Sequence, residues 1–200
     1  ALAAAREIRD ESARARALAG LAPHLPEELR EQALREALAA AREIRDEADR
    51  AEALAGLAPH LPENQREQAL REALAATREI RDESDRAEAL AGLAPHLPED
   101  LREQALREAL AAAREIGLEY ARAEVLAGLA PHLPEELREQ ALREALAAAR
   151  EIRDEFARAH ALAGLAPHLP ENQREQALRE ALAAAREIWN ESARAEALAR

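Results

Sequence analysis

Few side chains in this sequence could do chemistry. Its only tyrosine, phenylalanine and tryptophan are Tyr120, Phe156 and Trp189, and six histidines accompany them. Aromatic rings ringed by polar groups are the usual composition of a protein-binding hot spot, because a rigid ring covers much apolar area at little cost in rotamer entropy. Catalysis would need a nucleophile beside a base, or a convergent cluster of acids or ligands. The hydroxyls are confined to Ser12, Thr77, Ser84, Tyr120 and Ser192, there is no cysteine, and no glycine-rich phosphate loop occurs. No enzymatic activity, cofactor or metal is therefore expected. Five histidines, His24, His60, His96, His132 and His168, recur one per repeat in Pro-His-Leu-Pro. A zinc ion needs ligands within about 2 Å, whereas stacked helical units hold equivalent residues roughly 8–10 Å apart, so these read as loop residues. His160 stands apart, replacing Glu near Phe156.

The elements that must carry these residues follow from an internal repeat. Ala1, Ala37, Ala73, Ala109, Ala145 and Ala181 each open the run Ala-Leu-Ala-Ala-Ala/Thr-Arg-Glu-Ile, a period of 36 residues giving five full units and part of a sixth. Self-similarity on this scale marks stacked supersecondary units, since one unit cannot bury its own apolar face. The reading is a single all-α solenoid of antiparallel helix pairs over residues 1–200.

Within a unit, Leu29, Ala33, Leu34, Ala37, Leu38, Ala41 and Ile44 recur at helical spacing. They predict helix A from about Pro26 to Ile44, with Pro26 at its first position, acidic Glu27 and Glu28 on its dipole, and Glu31 and Arg35 as an i,i+4 pair. Asp46 is a predicted N-cap, matched by Asp10, Asp82, Asp154 and Asn190. Helix B runs from there to about Ala58, where Pro59 should push the preceding residue out of the helical region. Leu61 should plug the groove between helices. Gly20, Gly56, Gly92, Gly128 and Gly164 fall inside helix B, at about 1 kcal/mol each relative to Ala, which suggests close approach of another backbone.

A helix carrying Ala-Leu-Ala-Gly-Leu-Ala followed by one with evenly spaced alanines resembles a tetratricopeptide-type repeat, while Asp46 and Arg50 followed by the alanines and leucines of helix B resemble HEAT-type repeats. Either resemblance implies that helix B lines an inner wall used to hold peptides and proteins. Near-identity of the units, with variation at few positions, is also similar to engineered consensus repeat scaffolds. Arginine without lysine, with abundant Ala, Leu and Pro, suggests a bacterial repeat as template.

Because the units are copies, their differences are informative. Helix-B variation falls at repeat positions 9, 10, 12, 13, 16 and 17; Thr77 is a lone change in helix A, and positions 28 and 29 vary in the loop. At about 100° per residue, positions 9, 12, 13, 16 and 17 share an arc of roughly 140°, predicted to face away from the core. The bulky changes gather late in the chain, so Gly117, Leu118, Tyr120, Glu124, Val125, Phe156, His160, Trp189 and Asn190 are the predicted protein-binding residues. Tyr120, Phe156 and Trp189 are expected to form one patch. Leu118 replaces a capping Asp, and Gly117 at a helix C′ position would offset part of that loss.

The expected function is a non-enzymatic protein- or peptide-binding scaffold; the alternative is a self-assembling array in which the rings meet a second copy. A formal charge of −12 disfavours nucleic acid and membrane surfaces, and a base-reading repeat would need a basic track and a stacking ring in most units. No apolar run approaches the roughly 18 residues of a membrane span. The charged helix faces read as solvated surface. The chain begins without Met and enters and leaves mid-helix, at Arg200 where other units carry Gly. Its ends are expected to stack on neighbours or to continue into further residues.

Overall fold

The computed structural model describes residues 1–198. Among them, the chain forms α1 (Leu2–Arg6), α2 (Glu11–Leu21), α3 (Glu27–Glu43), α4 (Glu47–Leu57), α5 (Glu63–Glu79), α6 (Glu83–Leu93), α7 (Glu99–Glu115), α8 (Glu119–Leu129), α9 (Glu135–Glu151), α10 (Glu155–Leu165), α11 (Glu171–Glu187) and α12 (Glu191–Leu198). The architecture is an all-α solenoid of repeated helical hairpins. Odd-numbered helices are helix A and even-numbered ones helix B. Two compact units, Ala1–Ala105 and Leu106–Arg200, divide it inside α7.

In the first unit, α2 packs most extensively on α3 and α4 on α5, while α2, α4 and α6 form a second row. In the second unit, α8 packs on α9 and α10 on α11, with α8, α10 and α12 in the row. The cores are leucine, isoleucine and alanine: Ala33, Leu34, Ala37, Leu38, Ala41 and Ile44 of the α3 segment are buried, as are Leu54, Leu57 and Leu61. Leu61, Leu97, Leu133 and Leu169 of the Pro-His-Leu-Pro segments are all buried.

Helix boundaries show local chemistry at work. The side chains of Asp10, Asp46, Asp82, Asp154 and Asn190 accept from backbone N–H groups two or three residues on, at 2.7–3.0 Å. Pro26 is the N-cap of α3 and not its first helical residue: its ψ is 153°, and its carbonyl accepts from Arg30 N at 2.8 Å. Ala58, before Pro59, also departs from expectation. It stays helical (φ −51°, ψ −44°) because Pro59 opens a 3₁₀ turn, Ala58–His60, where a missing N–H leaves no bond unmade. The chain then turns extended at Leu61, with ψ of 152°.

Arginine supplies cross-links that the helical periods do not reveal. Arg6 grips Glu36 with both Nε and Nη2, at 2.7 and 2.8 Å, and Arg42–Glu72, Arg114–Glu144 and Arg150–Glu180 repeat that fork between successive A helices. Gln32, Gln68, Gln140 and Gln176 each donate to the same carboxylate. A second set ties helix B to the next helix A: Arg50 donates to Ile44 O at 2.9 Å and to Glu79 at 2.6 Å, and Arg122 and Arg158 repeat it. A third closes helix B onto the next A helix, with Arg66 donating to Ala58 O and Leu61 O, copied by Arg138 and Arg174. These uses need a planar fork of donors that an ammonium lacks, which is a structural reason for arginine throughout. Arg35, by contrast, reaches the backbone carbonyl of Glu31 and not its carboxylate.

Hydrogen bonding to these forks lowers the pKa of Glu36, Glu72 and Glu180 below the ordinary glutamate range, the arginine bond being the largest cause. For Glu144 burial is the largest single influence and raises it, but the bonds from Arg114 and Gln140 together prevail and the net shift is downward.

Candidate functional site: the groove between α8 and α10

The groove runs along α8 from its first turn to its last, and along the second half of α10 into the turn that follows. α8 begins at Leu118 with no side-chain cap, the exception among B helices with a described cap, although Arg122 N still bonds to Leu118 O at 2.8 Å. Gly117 brings no left-handed turn to offset this, since no glycine in the described residues has positive φ. In the first turn of α8, Tyr120 stands 37% exposed and faces α10. Its ring lies 6.5 Å from that of His160, centroid to centroid, with the planes 25° apart. That spacing and tilt fall within the stacked range.

Tyr120, Glu124 and Gly128 form one wall, four residues apart, so that successive turns of α8 present them on one stripe. His160, Gly164 and His168 form the other by the same arithmetic along α10 and into the following turn. The space between is about 230 Å³. The glycines are not close-approach residues, contrary to expectation: a Cβ built on Gly128 or Gly164 would meet nothing within 4 Å. They leave room along the walls instead. Gly56 and Gly92 do the same in a groove between α4 and α6, whose lining carries Asp49, Glu52, Asp85 and Glu88 and has the buried Thr77 at its base. Thr77 Oγ1 donates to Leu74 O at 2.8 Å.

The nine residues singled out from sequence do not form one surface. Tyr120, Glu124 and His160 come together in the groove. Val125 does not: it is 8% exposed, because position 17 lies on the flank of helix B and the two added methyl groups turn into the core. Phe156 is half-buried and packs on Ala159, Ala184, Ala185 and Ile188, with Ala193 and Ala197 beside it. It belongs to the α10–α11–α12 core, so the expectation that every helix-B change faces outward fails for Val125 and Phe156. Trp189, between α11 and α12, is 96% exposed and makes no ring contact among the described residues. The expected triad of rings is thus scattered over three environments. Asn190 caps α12 by accepting from Ala193 N at 3.0 Å, the role its Asp counterparts fill. Gly117 and Leu118 sit exposed in the α7–α8 turn, Leu118 at 72%, and nothing in the structure explains the leucine.

His168, read from the sequence as a loop residue, and Gly128 and Gly164, read as packing glycines, also line the groove. The signal was present: His160, Gly164 and His168 are spaced by four and eight, two turns of one helical stripe. The repeated histidines otherwise sit exposed in the 3₁₀ turns, and no group of three His, Cys, Asp or Glu among the described residues could hold a metal ion. No helix among them is long and apolar enough to cross a membrane. Arg200, where sequence placed an unusual terminus, lies outside the described residues. Compared with known families and characterised proteins, the chain matches no family model and no curated protein.

Proposed function

We propose that the chain is a non-enzymatic helical-repeat scaffold that binds a protein or peptide in the groove between α8 and α10. The observation carrying this reading is the stacked Tyr120–His160 pair standing over space that two helix-internal glycines leave open. Exposed rings in water are an aggregation liability, and a packed fold does not need them there. Near-identity of the units fits a tetratricopeptide-like or HEAT-like consensus scaffold, engineered or selected, on which the groove residues were varied. The test is a peptide-display selection on this chain, with winners re-measured on a Tyr120→Ala, His160→Ala double variant. Loss of about thirtyfold in affinity, the size of a hot-spot effect, is expected. Winners that bind the correctly folded variant undiminished would end the proposal.

A further inference from the structure

We infer that the α8–α10 groove is shaped for an arginine side chain presented by the bound peptide. This rests on the reading of the groove as a peptide site and adds the chemistry of what enters it. Three features converge. Glu124 is exposed and lines the groove one turn beyond Tyr120. No arginine of the chain lines the groove, and Glu124 is its one carboxylate. Beside it, the Tyr120 and His160 rings present aromatic faces inclined by 25° to each other.

A planar guanidinium satisfies both at once, its face against a ring and its edge donating to the carboxylate. An ammonium can meet Glu124 but cannot lie flat on the rings. A carboxylate or phosphate would meet Glu124 as a like charge on a chain of formal charge −12. A neutral apolar side chain would bury Glu124 without a partner, which is unfavourable for an ionised group. The glycines at 128 and 164 leave room for the side chain's stem, which reaches its charged end along apolar Ala123, Ala127 and Leu165. The chain already pairs its own arginines with glutamate in this way, as at Arg114 and Glu144, where two donors meet one carboxylate at 2.7 and 2.9 Å.

The acidic groove between α4 and α6 provides an internal control. Its lining has four carboxylates, Asp49, Glu52, Asp85 and Glu88, and no aromatic ring except His96. If charge alone recruits a cation, this groove responds more than the one between α8 and α10. If stacking and one carboxylate act together, the order reverses.

The experiment is a titration of isotope-labelled protein with acetyl-Gly-Arg-Gly-amide, followed by NMR at the amides of Gly128 and Gly164 and, for the control groove, Gly56 and Gly92. Parallel titrations use the same peptide with citrulline, which keeps the planar shape and loses the charge, and with lysine. Saturable shifts confined to Gly128 and Gly164 are expected. Citrulline and lysine should bind roughly fivefold or more weakly, and Glu124→Gln and Tyr120→Leu should each weaken the arginine peptide by a similar factor. Both positions are exposed, so both variants should fold, as unchanged amide shifts in α9 would verify.

Equal binding of arginine and citrulline peptides overturns the inference, and so do shifts as large at Gly56 and Gly92. The earlier reading fails separately: a display selection giving Tyr120-dependent binders without arginine leaves the peptide site standing and removes only its arginine preference. A selection giving no Tyr120-dependent binder removes both.

Discussion

Replacing Leu118 by Asp would restore the cap that four other B helices take from an aspartate, and the structure sets the size of the effect. In those helices one carboxylate oxygen accepts from first-turn N–H groups at 2.7–3.0 Å. The equivalent donors of α8 have no side-chain acceptor. An Asp cap contributes about 1 kcal/mol, and its charge at the positive end of the dipole adds a further ~0.3–1 kcal/mol at an exposed site. Against this, Leu118 is 72% exposed, so its removal forfeits about a quarter of the ~2 kcal/mol of a fully buried leucine, or about 0.5 kcal/mol. The net expectation is stabilisation by about 1 kcal/mol. For a chain of this length that is a rise of about 2–4 °C in midpoint. Repeat arrays need not unfold in one step, so the decisive measurement is local: hydrogen exchange at Ala121, the amide three residues past the cap, should slow about fivefold. Unchanged or faster exchange at Ala121 would refute the argument and show that the exposed leucine holds α8 by contacts the cap cannot replace. Peptide binding that falls while stability rises would place Leu118 in the partner's footprint.

Three further outcomes follow from the same geometry. Gly164→Ala should stabilise α10 by about 1 kcal/mol, because the added methyl meets nothing and helix propensity improves, yet it should weaken peptide binding by filling the groove; chemical denaturation and a binding isotherm on one variant check both signs. Arg114→Lys should lower stability by about 0.5–1 kcal/mol, since an ammonium cannot reproduce the two-pronged grip on Glu144, and Arg114→Gln should be no better; urea midpoints decide it. The pKa values of Glu36, Glu72, Glu144 and Glu180 are depressed in the folded chain, so their contribution is fully present above the unfolded glutamate pKa and is lost as pH falls through the lower folded values. Acid titration followed by circular dichroism should therefore show the parent resisting unfolding to lower pH than a variant with Arg6, Arg42, Arg114 and Arg150 changed to Gln.

The scaffold was legible because it is written five times. Helical periodicity, the Asp caps and the buried Leu61 follow from the residues alone, since each depends on neighbours within a few positions. The arginine clamps were not legible: Arg6 and Glu36 stand 30 residues apart, and no local spacing rule joins them. Angular position on a helical wheel also misjudged Val125 and Phe156, because a flank that is half-open for alanine becomes buried when a larger side chain folds down into it. The glycines misled for a related reason. Their propensity cost was visible, but whether the missing Cβ admits another backbone or leaves open space is a fact of tertiary distance.

Conserving and varying residues occupy disjoint repeat positions, and that separation has an energetic consequence. The clamps use arginine at repeat positions 6, 14 and 30, glutamate at 7 and 36, and glutamine at 32, as in Arg6, Arg14, Arg30, Glu43, Glu36 and Gln32. None of the varied positions, 5, 9, 10, 12, 13, 16, 17, 28 and 29, is among them. Groups that share no partner contribute additively to stability. Substitutions at Tyr120, Glu124 and His160 should therefore change what the groove holds and leave the forks intact. A double-mutant cycle between Tyr120→Ala and Arg114→Gln makes this measurable, with a coupling below about 0.5 kcal/mol expected. A larger coupling would mean that groove and clamp form one cooperative body, and that the groove cannot be re-lined without reworking the stack beneath it.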